Sequence, residues 1–386
     1  MRLAFCLAIA LFAAAGSAAA NPEVERLLLE GIDDVYRMRF SEGEAANRKA
    51  IELDPQDPRG YLGLAAIAWT RFVYEADQSD PALLPIFEKR SDEAEKAALK
   101  RLKQDRNDIK AMVALGGALG LKSRLYVGRR QWLSAYWSGR KAVGWMRTAA
   151  KIDPKQWDAQ LGLGMYDYYS DIYPRLVGAL AKIVLGGNRL RGIRTLQQVA
   201  ENGVFSQNSA KILLVEIYTE DKFGARDPLK ALAIVRQLRA KYPDSAMMHS
   251  SELVTLYESG KYEDVVKGAQ DYIARVKKGV YNPIEEAKGN VALGCALWQL
   301  GRKPEALSAF ETAMKVTRAG RPSRWAVWAH IRAGQLLDSM GRRVEALQHY
   351  QKAVAEPDTW GLRYFAKKYL SAPYPEPKPG PITLPL

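Results

Sequence analysis

The chain has 386 residues, 48% of them apolar, which is enough to build two or three globular domains or one long solenoid. Lys and Arg outnumber Asp and Glu by 57 to 43, so the formal net charge is +14. Only two cysteines occur, Cys6 and Cys295. Cys6 lies in a segment that we expect to be removed, which excludes an internal disulfide in the mature chain.

The first twenty residues have the pattern of a cleaved signal peptide. Arg2 provides a basic start, a short apolar run follows, and Ala18 to Ala20 fit the small-residue cleavage pattern. We therefore expect cleavage before Asn21 and a periplasmic or secreted protein. A lipoprotein that uses Cys6 is the alternative, although almost no apolar sequence precedes that residue.

From residue 21 onward, helix-like segments alternate with turns. Residues 24–55 and 246–273 each read as two helices joined by a turn. Prolines close three of the second helices just beyond their last turn, at Pro55, Pro154 and Pro243. No stretch shows sustained alternation with period two, so we predict an all-α fold.

Residues 109–152 contain nine basic residues and no acid. The bases are Lys110, Lys122, Arg124, Arg129, Arg130, Arg140, Lys141, Arg147 and Lys151. Aromatic rings such as Trp132 and Trp137 lie among them. Bases beside flat rings suit anionic lipid headgroups or acidic glycans, whereas export argues against nucleic acid. In the alternative interpretation the rings belong to the core, and acids from neighbouring segments, such as Glu95, pair with the bases.

Residues 157–187 combine a tyrosine cluster with a short apolar segment. Tyr168 and Tyr169 point in different directions on a helix, so they either line a groove for a peptide or sugar or pack between repeats. Pro174 is expected to begin a helix that ends before Gly186. At about 1.5 Å per residue this helix is too short to cross a bilayer, so it packs into the fold or lies in a membrane interface. The candidate binding residues of both segments are Arg124, Arg129, Arg130, Trp132, Trp137, Arg140, Tyr168 and Tyr169.

Residues 287–357 contain two near-copies of one helix–turn–helix pattern. The copies share two glycines, two alanines and one aromatic residue: Gly294, Gly301, Ala306, Phe310 and Ala313 in the first, and Gly334, Gly341, Ala346, Tyr350 and Ala353 in the second. In each copy the first glycine should lie at a close helix crossing, and the second should turn with positive φ. The two alanines are seven residues apart and should share one helix face. This pattern resembles the tetratricopeptide repeat (TPR).

The resemblance implies a right-handed α-solenoid of about eight helical hairpins over residues 21–370, stabilised by stacking of neighbours, and a function in binding. We expect irregular insertions after residue 70, at 122–135 and at 171–187, and an extended proline-rich tail over 371–386. Residues 162–203 are in addition similar to part of a eukaryotic TPR family of the outer mitochondrial membrane and lipid droplets.

No catalytic, cofactor or metal site is recognisable. The histidines, His249, His330 and His349, lack metal-ligand spacing, and no phosphate loop, Cys/His pair or serine-elbow motif occurs. We therefore predict a non-enzymatic, exported scaffold that binds a protein or peptide partner at the cell envelope. The alternative is a protein that binds lipid or a membrane surface through residues 109–187. A glycan-cleaving enzyme built on a helical solenoid is a third and more distant interpretation.

Overall fold

The computed structural model describes residues 21–75, 80–177, 186–318, 320–357 and 361–383, except for the side chains of residues 75 and 173–177. Helices dominate this part of the chain. They are α1 (Pro22–Tyr36), α2 (Phe40–Leu53), α3 (Pro58–Thr70), α4 (Leu83–Gln104), α5 (Ile109–Gly128), α6 (Trp132–Ile152), α7 (Trp157–Val177), α8 (Arg189–Asn202), α9 (Gln207–Glu220), α10 (Pro228–Lys241), α11 (Ala246–Glu258), α12 (Tyr262–Lys277), α13 (Glu285–Gln299), α14 (Lys303–Ala313), α15 (Arg324–Asp338), α16 (Arg343–Ala355) and α17 (Leu362–Ser371). The predicted signal peptide lies outside the described residues.

Two short irregular elements interrupt the helices. A π-helical turn, Arg71–Glu75, follows α3. The strands β1 (Thr317–Arg318) and β2 (Arg321–Pro322) form a small antiparallel pair between α14 and α15. Gly320 turns between them with φ +75°, a conformation that costs glycine little.

Local sequence signals explain where several helices begin. The Asp57 carboxylate accepts the N–H of Arg59, and Pro58 occupies the first turn of α3. Asp227 caps α10 in the same way ahead of its own proline, and Ser323 caps α15. A capping oxygen satisfies an N–H that has no partner within the helix, and proline there loses no hydrogen bond.

Within the described residues the helices pair as eight successive hairpins, from α1 with α2 to α15 with α16, and α17 packs on α16. First helices of neighbouring hairpins also touch, as α11 touches α13 and α13 touches α15. The apolar stripe of each hairpin is thereby covered by the next one, which is how a stack of repeats gains stability. The prediction of an all-α solenoid of about eight hairpins is confirmed.

The two C-terminal repeats have the predicted register. A Cβ atom at Gly294 would lie 2.5 Å from the ring of Phe310, and one at Gly334 would lie 2.6 Å from the ring of Tyr350. Gly301 and Gly341 turn with φ of +80° and +74°. The second helix of each repeat therefore presses its aromatic ring against the glycine of the first, and only a residue without a side chain fits there.

The stack coils back on itself, because the first hairpin lies against the fifth. Tyr242, just after α10, donates its hydroxyl hydrogen bond to Asp33 on α1 at 2.6 Å. The hydroxyl groups of Tyr36 and Ser209, on α1 and α9, are 2.7 Å apart. Tyr36 and Tyr242 also bring their rings to 5.6 Å.

The predicted insertion at 122–135 is wrong. This segment consists of the end of α5 and the start of α6, joined by a three-residue turn. Ser123 donates to the carbonyl of Ala135 at 2.8 Å, and Ser138 donates to that of Leu119 at 2.9 Å. These bonds tie the two extended helices together, so the added residues lengthen a hairpin instead of forming a loop.

The predicted start of a helix at Pro174 is also wrong, because α7 continues through that residue to Val177. Helix α8 packs closely on α7 just before this point: a Cβ atom at Gly192 would lie 2.7 Å from the carbonyl oxygen of Gly164. Asp171 accepts the N–H of Arg189 at 3.0 Å. Tertiary contact therefore maintains α7 where a proline would otherwise favour a break. The rest of the predicted helix, 178–185, lies outside the described residues.

Candidate functional site

Acids from other helices pair with part of the basic stretch 109–152. Lys110 contacts Glu25 on α1 at 3.0 Å. Lys122 contacts both Asp92 and Glu95 on α4, at 2.5 and 2.7 Å. Arg129 contacts Glu88 on α4 at 2.7 Å. Three of the nine bases thus have a structural role in joining repeats.

The other six bases make no ion pair with any described residue: Arg124, Arg130, Arg140, Lys141, Arg147 and Lys151. All six are exposed. Arg140 donates to the hydroxyl of Tyr136 at 2.9 Å, and the guanidinium of Arg130 lies 6.0 Å from the ring of Tyr364 on α17. These residues leave net positive charge on the surface of α5 and α6.

Three large apolar side chains protrude where α6 begins, and we call them the α6 tip. They are Trp132, Leu133 and Trp137, with 60%, 77% and 56% of their surfaces exposed. Arg129 and Arg130 lie just before them, separated from Trp132 by Gln131, and Arg140 follows Trp137 by about one helical turn. The sequence interpretation in which these rings belong to the core does not hold for Trp132 and Trp137.

The two candidate tyrosines lie between repeats. Tyr168 is only 4% exposed, and its hydroxyl donates to Asp221 at 2.8 Å, so it has no surface to offer a partner. This is a correction to its prediction as a binding residue, and the cause is the close packing of α7 on α8. Tyr169 is half-buried; its hydroxyl donates to Glu216 at 3.1 Å and its ring lies edge-on to Tyr168.

A second candidate site is a groove that holds residues 374–383, the described end of the proline-rich tail. Side chains from the first helices of consecutive hairpins bind this segment, and we call the set the tail groove. Its members are Glu220, Tyr257, Trp298, Gln299, Trp328, Arg332 and Asp338. Sequence analysis did not identify any of them.

Most of these contacts are donated to backbone carbonyls of the tail. The indole N–H of Trp298 donates to Pro377 at 3.0 Å, and that of Trp328 donates to Ile382 at 3.1 Å. The Tyr257 hydroxyl donates to Gly380 at 2.9 Å. Burial raises the pKa of Tyr257 well above its usual range, so this hydroxyl keeps its proton.

Two more donors complete the set. The side-chain amide of Gln299 donates to the carbonyl of Pro379 at 3.2 Å, and the buried guanidinium of Arg332 donates to that of Pro381. The ring of Trp328 lies 4.5 Å from the same guanidinium and holds it in place. Ile382, 1% exposed, is the tail side chain that is most deeply buried.

Four contacts of the tail, three residues apart, lie on four first helices. The N–H of Tyr374 donates to Asp338 on α15 at 2.8 Å. Pro377 then meets Trp298 on α13, Gly380 meets Tyr257 on α11, and Thr383 hydrogen-bonds to Glu220 on α9. Between the last two contacts, Pro381 and Ile382 return to Arg332 and Trp328 on α15. The tail therefore contacts four first helices, but its contacts do not follow their order strictly.

One sequence signal could have revealed this groove. Tyr257, Trp298 and Asp338 each stand three residues before the glycine of their turn, at Gly260, Gly301 and Gly341. Equivalent positions in stacked repeats lie on one face of the stack, so three polar or aromatic residues there form a row. The sequence alone gave no sign that the tail would occupy it.

The described residues hold no cluster of three or more His, Cys, Asp or Glu side chains that could bind a metal ion. No helix among them is both long and apolar enough to cross a membrane. His330 and His349 do meet, with their Nδ1 atoms 3.1 Å apart, and burial lowers the pKa of both. This pair has no third ligand group beside it among the described side chains.

One known protein family matches part of the chain. The family model for the tetratricopeptide repeat matches residues 287–319, the first of the two near-copies. A search of curated proteins finds no match. The similarity of residues 162–203 to a eukaryotic membrane-associated TPR family stays a prediction.

Several solved structures match the chain at low sequence identity. Human IFIT1, solved as a dimer with m7Gppp-AAAA, is 14% identical with a TM-score of 0.50, and the match covers 90% of this chain and 84% of that one. Yeast Tom70 is 13% identical with a TM-score of 0.42, covering 88% and 86%. TTC0263, a thermophilic TPR protein of Thermus thermophilus, is 15% identical with a TM-score of 0.37, covering 61% and 99%. Residues 287–319 thus match the tetratricopeptide-repeat family model, and the described residues form eight stacked helical hairpins, which is the architecture that such repeats build.

Proposed function

We propose that the chain is an exported, non-enzymatic TPR scaffold that binds a protein or peptide partner at the cell envelope. The observation that carries the proposal is the tail groove, in which side chains of four consecutive first helices form hydrogen bonds to one stretch of polypeptide, some as donors and some as acceptors. A surface that already binds one extended segment has the chemistry to bind another. Export is supported by the apolar run that ends at Ala18 to Ala20.

Two measurements test this function. N-terminal sequencing of the protein from its native host should begin at or near Asn21. A mature chain that keeps Met1 would refute export, and with it the location at the cell envelope. The purified mature chain, cross-linked in an envelope extract, should retain a specific polypeptide in stoichiometric amount. If neither the full chain nor a chain that ends at Tyr374 retains any polypeptide, the scaffold function is refuted. Release of sugar from cell-wall glycan would instead support an enzyme.

A second candidate function is binding to an anionic membrane surface, and the exposed α6 tip favours it. Trp132 and Trp137 are amphipathic rings of the kind that settle at a headgroup layer, and Leu133 adds apolar area beside them. The unpaired bases nearby would add about 1 kcal/mol each on an anionic surface. Because Lys110, Lys122 and Arg129 pair with acids on α1 and α4, the membrane-binding surface is limited to the α6 tip.

Liposome flotation separates this candidate from the first. Replacing Trp132 and Trp137 with serine should abolish flotation with anionic vesicles, while the helical content stays that of the parent. Reversal of Arg124 and Arg130 to glutamate should do the same, and binding by the parent should weaken as salt shortens the Debye length from about 10 Å at 0.1 M to about 3 Å at 1 M. A parent chain that does not float with anionic vesicles at low salt contradicts this function.

A further inference from the structure

We propose that the tail groove is a receptor for extended proline-rich segments, and that the chain's own C-terminal tail is a displaceable occupant that a partner of the same chemistry must replace. This inference rests on the proposed scaffold function and adds to it a ligand class and a mode of regulation.

The hydrogen-bonding groups of the groove fit proline. Pro377, Pro379 and Pro381 have no backbone N–H, so a carbonyl oxygen is the one polar backbone group that each presents. Trp298, Gln299 and Arg332 face those three carbonyls, and every one of them donates. An ordinary residue in place of the buried Pro379 would bring a backbone N–H to a position shielded from water, at a cost in affinity. The groove thus selects a segment that is rich in carbonyls and poor in N–H groups.

The spacing of the groove also fits proline. A polyproline II helix has three residues per turn and rises about 3.1 Å per residue, so three residues advance about 9 Å. Packed helices lie about 8–10 Å apart. One turn of a polyproline II segment therefore spans about the distance between neighbouring first helices. The contacts of Tyr374, Pro377, Gly380 and Thr383 have this three-residue spacing, while the tail bends at Pro377 and Lys378 and its Pro381 and Ile382 return to α15. Because the polyproline II conformation is populated before binding, little order has to be imposed on the ligand.

Several features make the tail a removable occupant. It follows α17 and belongs to none of the eight hairpins, so it can leave the groove without unfolding a hairpin. Glu376, Pro377 and Lys378 are exposed while the carbonyl of Pro377 is held. The groove binds mostly carbonyls, which every residue has, so a different proline-rich sequence can make the same bonds. A short tether supplies an effective concentration on the order of 1 mM, and a free partner has to compete against it.

The central experiment compares two chains in binding one peptide. The peptide is a fluorescent form of residues 375–386, and the chains are the full chain and one that ends at Tyr374, which keeps the packing of that ring on Trp298. The shortened chain should bind the peptide at least about tenfold more tightly than the full chain, because its groove is vacant. Equal affinity for the two chains would overturn the proposal.

Variants of the chain and of the peptide test whether the peptide binds in the tail groove. Trp298→Phe in the shortened chain keeps a ring and removes the N–H that reaches Pro377, so it should weaken binding by several-fold. Trp157→Phe, at the start of α7 and outside the groove, should bind as the shortened chain does. In the peptide, one alanine inserted after Lys378 should weaken binding by at least about tenfold, since it moves the carbonyls of Pro379 and Pro381 away from Gln299 and Arg332 when Pro377 is in place. Replacing the exposed Lys378 with alanine should have no effect.

A measurement on the full chain covers the case in which shortening prevents folding. In the chain that starts at Asn21, and so lacks Cys6, Lys378→Cys places a thiol on the exposed part of the tail. Cys295 is fully buried, so a fluorophore attaches at one site. Addition of unlabelled peptide 375–386 should change the fluorescence as the tail leaves Trp298, with saturation. A signal that does not change at millimolar peptide shows a permanently bound tail and overturns the proposal, as does a dimer that exchanges tails between copies.

The results that would overturn the proline-rich groove differ from those that would refute the scaffold function. A captured partner that binds the parent, the shortened chain and Trp298→Phe equally would overturn the proline-rich groove and leave the scaffold intact. Peptide binding as described, without any polypeptide captured from the envelope, would support the groove and refute the envelope partner.

Discussion

Replacing Gly294 with alanine should lower the stability of the solenoid, although alanine is the better helix former. The added Cβ would lie 2.5 and 2.7 Å from two ring carbons of Phe310, whereas carbon atoms in contact are normally about 3.5–4.0 Å apart. Phe310 is fully buried, so its ring has no open space to move into. Overpacking of this kind costs about 1–3 kcal/mol, and the gain in helix propensity returns about 1 kcal/mol. We expect a net loss of about 1 kcal/mol for alanine and more for leucine.

Gly144 on α6 provides the matched control. It is also a helical glycine, but no atom lies within 4 Å of the position of its Cβ. Gly144→Ala should therefore stabilise the chain by about 0.5–1 kcal/mol. Both variants are compared with the parent by urea unfolding followed by circular dichroism. Combining Gly294→Ala with Phe310→Leu should recover part of the loss, as expected for two residues in contact. A midpoint that rises for Gly294→Ala as it does for Gly144→Ala would refute the close crossing.

Two further predictions concern the same repeats. Gly301→Val places a β-branched residue at φ +80° and should cost about 1–3 kcal/mol in thermal unfolding; an unchanged melting temperature would contradict the assigned turn. Asp338 is fully buried and accepts from Arg343, Tyr350 and Tyr374, so Asp338→Ala should cost about 3–5 kcal/mol and free the start of the tail. A variant that melts like the parent and keeps the tail in place would show that this carboxylate is dispensable.

The repeats were predictable because their constraint is local. A glycine on the first helix and an aromatic ring on the second, sixteen residues on, meet in both copies, at Gly294 with Phe310 and at Gly334 with Tyr350. Two turns with positive φ follow at a fixed distance. Such contacts lie within one hairpin, so they leave a periodic pattern in the sequence.

The ion pairs of the basic stretch 109–152 could not be predicted from the sequence. Its acid-free composition suggested one exposed charged face, yet Lys110 pairs with Glu25, which is 85 residues away in the chain. The coiling of the stack determines which acids return to these bases, and no local pattern encodes it. What composition did indicate is the protruding pair of rings at Trp132 and Trp137, which are 60% and 56% exposed.

The tail groove could not be predicted from the sequence, for a related reason. Its ligand is held by backbone carbonyls, which every sequence has, and Tyr257 lies more than 120 residues before Gly380. The prolines of the tail predicted an extended conformation, but not the surface that receives it. The position three residues before each turn glycine, shared by Tyr257, Trp298 and Asp338, was the one available signal.

The last prediction concerns pH and the far end of the groove. Burial, with help from Glu216 and Glu258, raises the pKa of the Glu220 carboxyl to about 7, although Thr383 and Lys222 act in the opposite direction. The folded chain then holds this proton more tightly than the unfolded chain, whose carboxyl titrates near its ordinary value of 4.5. Stability must therefore fall as the pH rises from about 4.5 through about 7.

Glu220→Gln isolates that effect. A pKa raised from 4.5 to about 7, at about 1.4 kcal/mol per unit, corresponds to a penalty of at most about 3 kcal/mol once the carboxyl is ionised. The glutamine variant, which carries no charge, should lie close to the parent in urea unfolding at pH 4 and exceed it by up to that amount at pH 8. A difference between variant and parent that is the same at both pH values would mean that Glu220 does not titrate in this range.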